Sequence, residues 1–204
     1  MAVDPIPPTL AAGLEALALD LPPHTPAQLA AYLTLLEKWN RVYNLTAIRQ
    51  RNEMVTHHLL DSLIVLPYLA DARSIVDVGS GAGLPAIPLA IARPTLTVTS
   101  VEALDKKAAF QRQAKIELAL TNLEVICSRA ETLTGRSFDV AISRAFASLS
   151  DFARLAGHLA PRLLAMKGKI PTANIPPRWH ITTTQVLSVP GLPAARCLVI
   201  LERE

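Results

Sequence analysis

The 204-residue chain is poor in several residue types whose abundance would have marked a function directly. Cysteine occurs twice, at Cys127 and Cys197, far apart and without a Cys-x-x-Cys or Cys/His neighbour. That spacing speaks against zinc or any other metal centre, and both residues read as small buried side chains of apolar runs. No apolar run approaches the ~18 residues needed to span a bilayer. The opening MAVDPIPPTL lacks the basic and apolar stretches of a signal peptide. A protein outside the membrane, in the cytoplasm, is the expectation. Charge of one sign is scarce too, with a formal net of only +3. It is unevenly spread: residues 1–70 hold four basic and six acidic groups, residues 71–204 sixteen and eleven. A mildly basic main domain permits a polyanionic partner without demanding one.

What is present is a globular composition, half of it hydrophobic, in a length suited to one domain with an added segment. The N-terminal third looks helical. Thr25-Pro26-Ala27-Gln28 resembles a capping box with proline at the first helical position. Leu29, Tyr32, Leu33, Leu36, Val42 and Tyr43 follow at helical spacing, and Met54, His58, Leu59, Ser62, Leu63 and Leu66 form a second stripe ended by Pro67. Residues 9–19 suit a further short helix. From residue 74 the pattern changes. SIVDVG (74–79), LTVTSV (96–101), LEVICS (123–128), FDVAIS (138–143) and LLAMKG (163–168) read as strands. Helix candidates lie between them near 84–92, 105–120, 129–134 and 150–160, an alternation that argues for a parallel sheet covered on both faces. Runs near 180–189 and 196–202 suit late, antiparallel strands. The expected architecture is a helical cap over residues 1–70 followed by a doubly wound α/β domain over 71–204.

Glycine is sparse, with eight in all, and three of them stand at Gly79, Gly81 and Gly83 directly after the first strand. The dinucleotide fingerprint requires G-x-G-x-x-G, but position 84 is Leu. G-x-G-x-G after an acidic strand residue, here Asp77, is instead the pattern of enzymes that use S-adenosylmethionine. Glycines let such a loop approach the amino-acid end and sulfonium of the donor, because they carry no Cβ. Glu102, at the end of the second strand, is placed to accept hydrogen bonds from ribose hydroxyls. Ser128-Arg129-Ala130-Glu131 follows the third strand, where an adenine would lie. Glu131 reads equally as a contact there or as an acid at a helix start.

Methyl transfer from a sulfonium is an in-line displacement, and alignment supplies most of the catalysis. Carbon-5 of a pyrimidine would need a cysteine nucleophile, and Cys127 is poorly placed for it. Exocyclic amines usually meet an Asn/Asp-Pro-Pro-aromatic turn after the fourth strand, where this chain has Ser143-Arg144-Ala145-Phe146. A ring nitrogen with a free lone pair needs neither device. Arg144, at the end of a central strand, has a fork suited to phosphate or carboxylate, or to a salt bridge with a neighbouring acid. Lys167, at the end of the next strand, suits phosphate or simply marks the strand end.

WNRVYNLTAI (39–48), HHLLDSL (57–63), DVGSGAGLPAIPLA (77–90), ISRAFASL (142–149) and AMKG (165–168) together resemble the bacterial small-subunit ribosomal RNA methyltransferase family called RsmG or GidB, glucose-inhibited division protein B. The resemblance runs from about residue 30 to 168. It implies an S-adenosylmethionine-dependent enzyme that methylates N7 of one guanine in 16S rRNA, with a Rossmann-like methyltransferase fold and an N-terminal helical extension. Carried over by position, it implies Gly79, Gly81, Leu84, Glu102, Ala130 and Glu131 at the donor. Arg144 becomes the candidate catalytic residue near both donor and guanine. Asn44, His57, Asp61, Ser62 and Lys167 become candidate RNA contacts. Ala86 stands where many relatives have glycine. Beyond residue 168 the resemblance fades, and PTANIPPRWH (171–180) reads as a turn or loop. A monomer is expected. A small-molecule methyltransferase and a non-catalytic S-adenosylmethionine sensor are the alternatives, while Leu84 disfavours a dinucleotide dehydrogenase.

Overall fold

Strand residues of this chain alternate between two buried faces, and two cores result. The computed structural model describes residues 5–144, 146, 148–169 and 175–204. Its sheet has seven strands: β1 (Ser74–Val78), β2 (Thr97–Glu102), β3 (Leu123–Cys127), β4 (Val140–Ser143), β5 (Arg162–Lys167), β6 (Trp179–Leu187) and β7 (Arg196–Arg203). The order is β3-β2-β1-β4-β5-β7-β6, with β1 to β5 parallel and β7 and β6 antiparallel. Ile75, Val140, Ile142, Leu164, Met166, Leu198 and Ile200 face one core. Their neighbours Val76, Val78, Ala141, Leu163, Ala165, Val199 and Leu201 face the other. A strand buried on both sides favours apolar residues at nearly every position, which is why these segments read as runs rather than as alternations.

The first core also receives the N-terminal helices, α1 (Pro8–Leu17), α2 (Thr25–Tyr43), α3 (Arg51–Met54) and α4 (Asp61–Leu63), together with α5 (Ala86–Ala92) and α6 (Asp105–Glu117). Leu29, Leu33 and Leu36 of α2 are fully buried in it. The second core is covered by α7 (Leu149–Ala156), whose Ser148 cap accepts from Asp151 N at 3.0 Å. The strand order therefore reverses between the parallel neighbours β1 and β4, and the crevice at their C-terminal ends is where open α/β sheets bind ligands.

Several expectations are corrected. The capping box at Thr25–Gln28 does not form. His24 stands at the cap position, Thr25 is buried with its Oγ1 unpartnered among the described residues, and Gln28 Nε2 donates to Leu118 O at 3.1 Å. A carbonyl left open at the end of α6 thus takes the amide that a capping box would have used. Val42 and Tyr43 are not core, being 69% and 43% exposed, because α2 ends there with Asn44 in the left-handed conformation. Cys127 is only half-buried and donates to Asp105 Oδ1 at 2.9 Å, whereas Cys197 is buried as expected. The second helical stripe is interrupted by a π-helical turn, Val55–Leu60, between α3 and α4. Ala145 and Ala147 of ISRAFASL, and residues 170–174 at the start of the expected loop, lie outside the described residues.

Candidate active site

The glycine loop is held from below by three elements. Ser80 Oγ lies 2.6 Å from Ser100 Oγ of β2 and accepts from Gln111 Nε2 of α6 at 2.8 Å. Ser100 and Gln111 Oε1 are also hydrogen-bonded, and Gln111 Nε2 donates to Gly81 O at 2.8 Å. From α2, the Tyr32 hydroxyl donates to Ala82 O at 2.7 Å, and burial drives its pKa strongly upward, so it stays a donor. Gly79, Gly81 and Gly83 all have positive φ, of 72°, 60° and 82°, which only glycine adopts without strain. Leu84-Pro85 is a cis peptide bond. Pro85 is the N-cap of α5 and Pro88 lies in its first turn, where missing N–H groups have no helical partner to lose.

Two acidic side chains flank this loop. Glu102 is buried, with Oε2 accepting from Gly81 N at 2.8 Å and Oε1 from Leu104 N at 2.9 Å. Asp77 is fully buried, and its Oδ2 accepts from Ala86 N at the start of α5 (3.0 Å). Its Oδ1 has no partner among the described residues. Burial raises the Asp77 carboxyl to about 7, with the Ala86 hydrogen bond and the Arg144 charge opposing the rise.

Gly79 separates two cavities. One, of about 320 Å³, is lined by Val101, Glu102, Ser128, Ala130, Glu131 and Phe146 among others. The second, of about 200 Å³, is lined by Leu45, Thr46, His58, Gly79 to Ala82, Leu84 and Arg144. A Cβ built on Gly81 meets no protein atom within 4 Å. The loop thus presents bare backbone to open space, with an acid on each side.

A third cavity, of about 390 Å³, adjoins them through His58 and Arg144. Its walls include Ile48, His57, Asp61, Met166, Lys167 and Arg196. Arg144 Nη1 donates to His57 O at 3.0 Å and to Asp61 Oδ2 at 2.8 Å. Arg196 Nε donates to Asp61 Oδ1 at 2.9 Å. Lys167 Nζ donates to Phe146 O, and burial lowers its pKa. His58 is buried, its Nε2 bonded to Thr46 Oγ1 at 2.9 Å. Burial first, and the Arg144 charge second, hold its pKa down to about 4, so it is neutral near pH 7.

The structure thus brings Gly79, Gly81, Leu84, Glu102, Ala130, Glu131 and Arg144 to two adjoining cavities, and His57, Asp61 and Lys167 to the third. Two expected RNA contacts are not there. Ser62 is fully buried and its Oγ donates to His58 O at 2.5 Å, so it cannot face a partner. Asn44 is exposed but lines none of these cavities, and its Oδ1 accepts from Arg49 Nη2 at 2.8 Å. Asp61 reaches the cavity wall, yet both its oxygens are occupied by arginines. Sequence reasoning left out Tyr32, Gln111, His58 and Arg196. Asp77 alone carried a signal, as the acid ahead of the glycines.

No helix among the described residues is long and apolar enough to cross a membrane. None of their His, Cys, Asp and Glu side chains form a group of three or more that could hold a metal ion.

Solved structures share this fold at low sequence identity. A putative O-methyltransferase from Klebsiella pneumoniae superposes with a TM-score of 0.59 at 15% identity, covering 95% of each chain. An S-adenosylmethionine-dependent methyltransferase from Aquifex aeolicus gives 0.52 at 16% identity, covering 72% of this chain and 91% of its own. The shared fold is that of Rossmann-like methyltransferases. The family model described as rRNA small subunit methyltransferase G (GidB) matches residues 25–197, and the chain belongs to that family. Curated relatives named ribosomal RNA small subunit methyltransferase G include those of Aromatoleum aromaticum (53% identical, covering 96% of this chain and 98% of the relative) and Neisseria meningitidis serogroup C (45%, covering 95% and 97%).

Proposed function

We propose that this enzyme methylates N7 of a specific guanine in the 16S rRNA of the small ribosomal subunit. The observation that carries this reading is the position of Arg144, which borders both the cavity beside the glycine loop and the basic cavity next to it. S-adenosylmethionine supplies an activated methyl group when bound. The residues present fit it: bare glycine backbone for the amino-acid end, Glu102 for the ribose hydroxyls, and Ala130 and Glu131 beside the adenine, with Leu84 packing near the sulfonium. Arg144 orients donor and guanine, while His57 and Lys167 face the RNA, with Asn44 as an outlying contact. The helical segment 1–70 and the methyltransferase segment 71–204 contribute jointly to this surface.

N7 of guanine carries a free lone pair, so methylation there removes no proton. The chain accordingly needs to bind and align rather than to move a proton. No cysteine lines either cavity, and Cys127 is turned to Asp105. Asp61 is held by two guanidiniums and His58 is weakly basic. These features support an acceptor that needs neither nucleophile nor base. The relatives' names supply the ribosomal RNA. We further propose that it acts as a cytoplasmic monomer.

The test is incubation of the pure protein with methyl-labelled S-adenosylmethionine and either 30S subunits or naked 16S rRNA from cells lacking the enzyme. Label at a single guanine, released by cleavage chemistry specific for N7-methylguanine, is the expected result. Turnover on small molecules without RNA, or no incorporation into either RNA form, overturns the reading.

A further inference from the structure

We propose that Asp61 is a positioning residue: its carboxylate sets the Arg144 guanidinium, at the wall between the glycine-loop cavity and the basic cavity, beside that of Arg196 in the basic cavity, and it does not itself touch RNA. The side chain of Asp61 is 5% exposed, and each of its oxygens accepts one charge-assisted hydrogen bond, Oδ2 from Arg144 and Oδ1 from Arg196. The two arginines come from opposite directions in the sheet. Arg144 follows the C-terminal end of β4, Arg196 begins the antiparallel β7, and Asp61 begins α4. One carboxylate therefore links three elements. The Arg144 bond to His57 O uses the same Nη1, which leaves Nε and Nη2 without a hydrogen bond to the described residues. Those groups remain for a ligand on either side of the wall.

Charge supports this assignment. Without Asp61 two guanidiniums would face each other in a partly buried cavity and repel. With it, Arg144, Arg196, Lys167 and Asp61 leave the cavity with a positive excess, and His58 adds no charge near pH 7. A nucleotide seeking Asp61 would first have to break two ion pairs at a residue almost closed to solvent.

The inference rests on Arg144 acting between donor and acceptor, whichever base is methylated. A double-mutant cycle tests it. Asp61→Asn should lower kcat on 30S subunits at least tenfold, whereas adding Asp61→Asn to Arg144→Ala should cost less than threefold more, because the fork that Asp61 positions is already gone. Multiplying losses, or a rise in KM for 30S subunits with kcat intact, would overturn the proposal. A second measurement needs no substrate and no substitution. In the unaltered protein the Arg196 Nε–H proton should exchange more slowly by NMR than that of a surface arginine, because it is held by the nearly buried Asp61 carboxylate. Exchange as fast as at a surface arginine overturns the clamp. Wild-type silence on 30S subunits would instead count against the methylation reading, leaving the proton exchange to decide the clamp.

Discussion

Replacing Gly81 by alanine separates a ligand-facing glycine from a structural one. Gly81 has φ +60°, and a Cβ there would meet no protein atom within 4 Å. The protein itself therefore bears only the backbone strain of an L-residue in the left-handed region, about 1–2 kcal/mol. For a chain of this size each kcal/mol lowers Tm by roughly 2–4 °C. The new methyl, however, stands at a cavity wall that Gly81 lines. If the donor passes there, S-adenosylmethionine affinity by titration calorimetry should fall at least about tenfold, equivalent to about 1.4 kcal/mol. Gly83→Ala is the control. Its Cβ would fall 2.4 Å from Ile87 Cδ1 and 3.3 Å from Gln111 Cγ, so overpacking of about 1–3 kcal/mol adds to the strain. Gly83→Ala should thus lose more stability, and Gly81→Ala more donor affinity relative to its stability loss. An Gly81→Ala protein that binds S-adenosylmethionine within twofold of wild type would refute the placement of the donor on this loop.

Arg144→Ala should lower kcat on 30S subunits by roughly 100-fold, the cost of misaligned reactants; unchanged kinetics would reduce Arg144 to a structural partner of Asp61. Tyr32→Phe removes the hydrogen bond to Ala82 O and should cost about 1 kcal/mol in denaturant titration, with weaker donor binding; full stability and affinity would show that the loop does not depend on α2. Asp77 titrates near 3.8 when unfolded and about 7 when folded, so its contribution to stability is complete below pH 3.8 and is lost as pH rises to 7. His58 acts in the opposite sense, with a contribution lost as pH falls from 6.5 to about 4. Asp77→Asn should therefore gain stability relative to wild type between pH 4 and 7, followed as the difference in Tm, and a constant difference would refute the buried-acid account.

The parallel strands were legible because a strand buried on both faces is a nearly uninterrupted apolar run bounded by turn residues, as Val140–Ile142 and Leu163–Met166 show. The glycine loop was legible because positive φ demands glycine, and the chain has few glycines to spare. The residues around the third cavity were harder to read. Ser62 sits beside Asp61 in a motif, yet the helical geometry after the π turn buries its hydroxyl against His58 O. Arg196 lies 135 residues from Asp61, and no local pattern announces a partner brought in by an antiparallel final strand. Gln28 illustrates the same limit at a helix end, where a distant carbonyl outcompetes the local cap.

The bonds that shape the glycine loop, from Tyr32, Ser100, Gln111 and Glu102, all come from within the chain. A loop supported in this way is ordered by folding, and little flexibility would be left to lose if a ligand bound there. A site preorganised in this way ties two properties together: substitutions that loosen the supports beneath the loop should reduce heat resistance and donor affinity in step, even where they touch no ligand atom.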